Sequence, residues 1–357
     1  MMSSPSHRQP HVVISGYYGF HNLGDELILQ VLTQALKELN AQVTVLSAHP
    51  AHTEKTYGVK AIPRMSPGAI LKALSNATHF ISGGGGLFQD TKGPLSTLYY
   101  GGLIQLAKWL GKPVSFWRQG IGPLKGGLAR GWTAHVLRQC DHLSVRDEAG
   151  ADLIESLTDN RPDVAPDPVW ALQMPAAKAS STDAKTFKIG LSVRNHASLT
   201  KPVLDHLIKL LAKLPSQLPD KEIEFILMPC QVGQDQPPLK MIHEALKFET
   251  DTPIQCRWVA PEQVAETIPQ CDLVIGMRFH SLVLALLAGV PVYGLIYDPK
   301  VENLLDALGQ KGSSVKGLTH MGTLPIRGLS TVPNERLQSL IGSRESLLEE
   351  LNTFLGR

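Results

Sequence analysis

The feature that most constrains this chain is an alternation. Short aliphatic runs that end in glycine or a polar residue take turns with longer stretches whose apolar residues recur at helical spacing. HVVISG (11–16) is a β-branched run closed by glycine, the pattern of a parallel strand buried on both faces. DELILQVLTQALKEL (25–39) follows, with Leu27, Ile28, Val31, Leu32, Ala35, Leu36 and Leu39 on one helical face. AQVTVLS (41–47) supplies the next strand. A βαβ opening of this kind implies a parallel sheet with helices on its faces, because the crossover helix packs back onto the sheet. The same rhythm runs through THFISGGGG (78–86), the helical LYYGGLIQLAKWLG (98–111), PVSFWRQG (113–120), a helix near 128–139 and HLSV (142–145).

Residues 159–185 interrupt it. DNRPDVAPDPVWALQMPAAKASSTDAK holds four prolines and then a small, polar run, which fits an interdomain connection. The alternation then restarts, with strands expected at FKIGLSV (187–193), EIEFILM (222–228), IQCRWV (254–259), CDLVIG (271–276) and VPVYGLI (290–296). Helical patterns lie at 202–214, 237–248, 261–268, 281–288 and 300–308, and the tail at 334–356 reads as a further helix. A length of 357 residues suits two domains at roughly 150 residues each. The expected fold class is α/β, with two Rossmann-like domains facing a cleft. Residues 1–176 would form the first, and residues 177–357 the second with a C-terminal helix.

Composition removes several function classes. Hydrophobic residues at 43% and charged residues at 18% provide for two cores and exclude a disordered or collagen-like chain. The 34 basic and 32 acidic residues give +2 with no basic run, which argues against a nucleic-acid binder. Cys140, Cys230, Cys256 and Cys271 are scattered without a CxxC pair, so no metal or disulfide framework is expected. The start, MMSSPSHRQP, has no apolar core of a signal peptide. The longest apolar stretch (281–296) is broken by Gly289, Pro291 and Gly294 and is shorter than the ~20 residues of a span. A cytoplasmic protein is expected, with at most peripheral contact at the inner face of a membrane.

In open parallel sheets, ligands bind beyond the carboxyl ends of the strands. Residues that follow strands are therefore the candidates. GYYGFHNLGDE (16–26) lacks the GxGxxG fingerprint but leads from a strand into a helix N-terminus, where an anion is favoured. Asp25 and Glu26 there suit either chemistry or helix capping, with Asn22 and Asp25 spaced like a capping box. GGGGLFQD (83–90) puts four glycines after a strand, a conformational cost that fits close approach of the backbone to a ligand or another segment. Gly84 and Gly85 are its candidate ligand contacts, and Asp90 could accept from a sugar hydroxyl. Arg146, Arg194 and Arg278 each follow a strand, and arginine holds carboxylate or phosphate bidentately at any working pH. His280, two residues after Arg278, can exchange protons near neutrality. Lys300 in YDPKV (297–301) offers a further cation or simply begins a helix.

Taken in order, GYYGFHNLGDE, SGGGGLFQD, SVRDE (144–148), GLSVR (190–194) and MRFHSLVLALLAGVPVYGLIYDPKV (277–301) resemble the polysaccharide pyruvyl transferase family, in particular its CsaB-type branch. The resemblance covers about residues 12–310, and the family pattern more often has glycine where His21 stands. It implies a GT-B-like pair of Rossmann-like domains and transfer of an enolpyruvyl-derived unit from phosphoenolpyruvate to a sugar. The product would be a cyclic pyruvate ketal on a cell-surface polysaccharide precursor, with phosphate released. The acceptor would be a lipid-linked or nucleotide-linked sugar, and no cofactor or metal is implied. It further implies Arg278 and His280 at the donor, Arg146 or Arg194 on its carboxylate or phosphate, and Asp25 and Asp90 in active-site loops. His280 would act as general acid and Asp25 or Asp90 as base. Two other readings of these residues stand beside it: a GT-B glycosyltransferase using a nucleotide sugar, and a non-catalytic sugar-polymer binding protein.

Overall fold

A computed structural model describes residues 9–91, 93–177, 185–248, 254–333, 337–338 and 344–356. The chain divides into two compact units, Met1–Leu172 with Ile341–Arg357, and Gln173–Leu340. The first is built from β1 (His11–Ser15), α1 (Leu23–Glu38), β2 (Gln42–Ser47), α2 (Pro50–Tyr57), β3 (Lys60–Pro63), α3 (Pro67–Asn76), β4 (His79–Gly83), α4 (Leu95–Trp109), β5 (Val114–Gln119), α5 (Gly127–Leu137), β6 (His142–Val145), α6 (Glu148–Thr158) and β7 (Asp163–Val164). Its parallel sheet has the order β3-β2-β1-β4-β5-β6-β7. Strand β1 is central, with Val12 opposite Val43 of β2 on one side and opposite His79 of β4 on the other. On one face Val13, Phe80 and Phe116 pack with Phe88 and Ile104, all fully buried.

The second unit contains β8 (Thr186–Ser192), α7 (Lys201–Ala212), α8 (Leu214–Gln217), β9 (Glu222–Leu227), α9 (Val232–Leu246), β10 (Gln255–Trp258), α10 (Val264–Thr267), β11 (Leu273–Gly276), α11 (Phe279–Leu287), β12 (Val292–Ile296), α12 (Pro299–Leu308) and β13 (Lys311–Ser314). Its parallel sheet runs β10-β9-β8-β11-β12-β13. Ile189, Leu191, Phe225, Leu227 and Ile275 form its core with Leu207 and Leu211 of α7. Both sheets thus share one plan. The chain builds outward from the first strand, then crosses back to start the other half, leaving a topological switch at β1/β4 and at β8/β11. No described helix is long and apolar enough to cross a membrane.

One expected boundary is corrected. The C-terminal helix α13 (Arg344–Phe354) belongs to the first unit, not the second. Its Glu350 accepts from the Arg118 Nε at 2.6 Å and from the Ser144 hydroxyl at 2.7 Å, while Phe354 meets the His79 ring edge-on. The units divide at 172/173 rather than 176/177, and the expected helix at 334–343 lies largely outside the described residues. Helix α9 also begins five residues earlier than its prolines suggested. Asp235 in its first two turns accepts the backbone N–H groups of Cys230 and Gln231, which ties this end of the helix to the end of β9.

Candidate active site

At the β1/β4 switch, the loop 16–22 is held by side chains from its surroundings. Glu26 accepts the Gly19 N–H at 2.8 Å and the Tyr57 hydroxyl at 2.7 Å, and His49 Nδ1 lies 2.6 Å from the Gly19 carbonyl. Glu26 is therefore a clamp for the loop. Asn22 is the N-cap of α1 by position, but its side chain caps nothing, so the capping box is not formed. His21 adopts φ 52°, the left-handed region, which supplies a physical reason for glycine in the family pattern at that position. Tyr18 is completely buried, its hydroxyl has no hydrogen-bond partner, and burial followed by the charge of Asp25 pushes its pKa well above the ordinary value.

The glycine run owes its composition to close packing on α1. A Cβ on Gly84 would stand 2.0 Å from Ile28 Cγ2, and one on Gly85 would stand 2.3 Å from Asp25 Oδ1. Both glycines also have positive φ. The result places the half-buried Asp25 carboxylate directly against the Gly85 backbone. Asp90 behaves differently. Its Oδ2 accepts the N–H groups of Lys125 (2.8 Å) and Gly126 (2.6 Å) at the start of α5. The Gly126 bond is the main cause holding its pKa below the usual carboxylate value. Arg146, after β6, is two strands beyond β4 of the switch. Its guanidinium lies over Gly120 and pairs with Asp167 at 3.3 Å and Asp147 at 3.6 Å.

At the β8/β11 switch two of the sequence candidates, Arg278 and Arg194, meet the same segment. Arg278, between β11 and α11, is buried and grips Asp235 through Nε (3.1 and 3.0 Å) and Nη2 (2.5 Å). Burial opposes its charge, but Asp235 prevails and raises its pKa above the ordinary arginine value. Arg194, just after β8, donates to Gln234 Oε1 at 2.6 Å and to the Tyr297 hydroxyl at 3.2 Å, with its guanidinium 5.3 Å from the Tyr297 ring centre. Its buried Nε has no acceptor, and among the described residues it has no carboxylate partner. Both arginines converge on the turn 231–235. Asp235 answers the charge of Arg278, which leaves the Arg194 charge as the local surplus. That is an arrangement for an anion.

His280 sits in the first turn of α11, half-buried and edge-on to Phe279. Lys300 lies at the start of α12, 3.7 Å from the carboxylate of Asp298, which also caps that helix. Asp235, Gln231, Gln234 and Tyr297 were not singled out from sequence. Only Tyr297 lies in a motif, and Asp235 is 43 positions from the arginine it holds. The four thiols are all free. Burial pushes Cys140, Cys230 and Cys271 up to about 12 and Cys256 to about 11, which keeps the thiols protonated and unreactive near neutral pH.

Two Rossmann-type sheets that share the strand order 3-2-1-4-5-6, extended by a seventh strand in the first, with polar clusters at both switches and a C-terminal helix, define a GT-B-like α/β protein. Solved structures of this class are similar to it along nearly the whole chain. They include the UDP-GlcNAc 2-epimerase of Methanocaldococcus jannaschii (TM-score 0.60, 12% identity, covering 98% of this chain and 100% of that one). A glycosyltransferase from Rickettsia africae gives 0.56, 9%, 98% and 94%, and S. aureus MnaA in its UDP co-structure gives 0.58, 11%, 98% and 97%. Identities this low establish the fold alone. No curated protein matches the chain by sequence. The family model for polysaccharide pyruvyl transferase matches residues 22–299, and the chain belongs to that family. It is a transferase of polysaccharide biosynthesis.

Proposed function

We propose that the protein transfers pyruvate from phosphoenolpyruvate to two hydroxyls of a lipid-linked or nucleotide-linked sugar, forming a cyclic ketal and releasing phosphate. The observation that carries this reading is the uncompensated Arg194 beside the Arg278–Asp235 pair at β8/β11. Phosphoenolpyruvate bears a carboxylate and a phosphate, and a site with surplus guanidinium charge suits a small dianion. Arg194 is preferred to Arg146 for this role because the charge of Arg146 is already answered by Asp147 and Asp167.

In the proposed reaction His280 delivers a proton to the methylene carbon, which becomes the methyl group, and the adjacent carbon gains oxocarbenium character. A sugar hydroxyl adds to that carbon and loses its proton to Asp25. The phosphate leaves, stabilised by guanidinium charge, and the second hydroxyl closes the ring. Of the two hydroxyl protons, one balances the proton delivered to carbon and the other leaves with phosphate. Asp25 is preferred to Asp90 as base because the N–H bonds at α5 make Asp90 a weak one. No cofactor is required by this chemistry.

Thermal unfolding with phosphoenolpyruvate tests the donor site. A ligand at 100 times its Kd stabilises by about 2.7 kcal/mol, so the midpoint should rise for the wild type and not for Arg194→Gln. With a competent acceptor, His280→Ala should lower phosphate release by roughly 10²–10⁴-fold. A midpoint raised by a UDP-sugar and untouched by phosphoenolpyruvate would replace this reading with glycosyl transfer.

A further inference from the structure

Arg64, directly after β3 at the carboxyl edge of the first sheet, takes no part in the chemistry above, yet both its backbone and its guanidinium are held by neighbours. Its backbone N–H donates to the Ser47 carbonyl at 3.0 Å, and its own carbonyl accepts the Tyr99 hydroxyl at 2.6 Å. The guanidinium carbon lies 4.5 Å from the Tyr99 ring centre, 5.0 Å from Phe20 and 5.4 Å from Tyr100. Nη1 donates to the Tyr100 oxygen at 3.2 Å. Among the described residues no carboxylate pairs with it and no other acceptor meets its remaining N–H groups. Rings therefore occupy the surroundings of the guanidinium plane while most of its donor edge is unspent. A guanidinium stacked in this way keeps its charge and presents a rigid fork, the geometry that recognises a phosphate bidentately.

The position adds to this. Phe20 belongs to the loop that follows β1, and Tyr100 feels both the Arg64 charge and the charge of Asp25. An oxyanion on the Arg64 fork would thus lie in the same neighbourhood as the proposed base. We propose that Arg64 is an anion-binding residue for the acceptor side of the reaction, holding a phosphate or diphosphate group to which the acceptor sugar is attached. This rests on the reading above for its purpose, but the binding itself is testable without it.

The probes are inorganic pyrophosphate, UDP and farnesyl diphosphate, titrated calorimetrically into the full chain, with phosphoenolpyruvate titrated separately. Binding of a diphosphate probe should weaken about 10- to 100-fold in Arg64→Met, while phosphoenolpyruvate binding stays within about twofold. Arg64→Lys keeps the charge without the fork and should give an intermediate loss, which also covers the case of a poorly folded methionine variant. UDP and farnesyl diphosphate separate a nucleotide carrier from a lipid carrier. Equal diphosphate affinity in wild type and both variants overturns the inference, as does a wild type that binds phosphoenolpyruvate but none of the three probes. Loss of phosphoenolpyruvate binding alone in Arg64→Met also overturns it, since Arg64 would then belong to the donor. A wild type that binds diphosphates through Arg64 but not phosphoenolpyruvate refutes the donor reading and leaves this one standing.

Discussion

Replacing Arg278 by methionine should cost the second unit far more than replacing Arg194, although both arginines were read from sequence as equivalent ligands of an anion. Asp235 is fully buried, and its carboxylate accepts from Arg278 Nε and Nη2 as well as from the Cys230 and Gln231 N–H groups. Arg278→Met leaves that charge buried with two neutral donors, and breaking a buried pair from one side typically costs about 3–5 kcal/mol. For a unit of this size, each kcal/mol moves the midpoint by about 2–4 °C, so the expected fall is roughly 6–20 °C. Arg194 is half-buried, with one amide, one hydroxyl and one ring as partners, and its truncation should cost about 1–2 kcal/mol. The assay is thermal and urea unfolding of Arg278→Met, Asp235→Leu and the double variant. Removing both partners takes away the unpaired charge, so the double variant should be more stable than the sum of the two losses by about 2 kcal/mol or more. Additive losses, or an Arg278→Met midpoint within a degree or two of wild type, would refute a buried, coupled pair. The same reasoning explains why a ligand test is cleaner on Arg194: loss of binding in an Arg278 variant is confounded with loss of fold.

Two further outcomes follow from paired groups in the first unit. Glu350→Ala removes the partner of Arg118, which is 2% exposed and held at φ 44°, and should destabilise by about 3–5 kcal/mol; native-state hydrogen exchange should show α13 opening first. Asp90 has a folded-state pKa below its ordinary value, so its contribution is full above pH about 4 and is lost as pH falls through the lowered folded value. The acid limb of the midpoint-against-pH curve should be flatter in Asp90→Asn, and an unchanged limb would count against the α5 pin.

The parts of the fold legible in sequence were those with a hydrophobic demand on both faces. β1, β4, β8 and β11 are such strands, each buried over most or all of its length. β3, β7 and β13 passed unread because they lie at or next to the sheet edges and have little to bury: KAIP has one buried residue, DV none and KGSS none. Helix α2 was equally silent, since Thr53 alone in it is buried and no apolar stripe results. The arginines could be located but not told apart. Whether a guanidinium is a ligand or half of a buried pair depends on Asp235 or Asp167, residues brought in by other segments, and no local spacing encodes that. Arg64 was invisible for the same reason, because its rings come from the loop after β1 and from α4.

The two sheets sharpen what this means for function. They share the order of six strands and the same switch, with β7 added to the first, so topology alone predicts a ligand site at β1/β4 and another at β8/β11. It says nothing about what each would bind. At β1/β4 the glycine run lets Asp25 approach the backbone, so the group on offer there is a half-buried carboxylate, while the Tyr18 hydroxyl is fully buried and stays protonated. At β8/β11 a buried carboxylate neutralises one arginine and leaves another in surplus, so the group on offer is a cation. In the proposed reaction these would serve as base and anion holder, each built from a handful of side chains on its own sheet. Solved structures at 9–12% identity can therefore keep the scaffold entire while differing in what their strand ends carry.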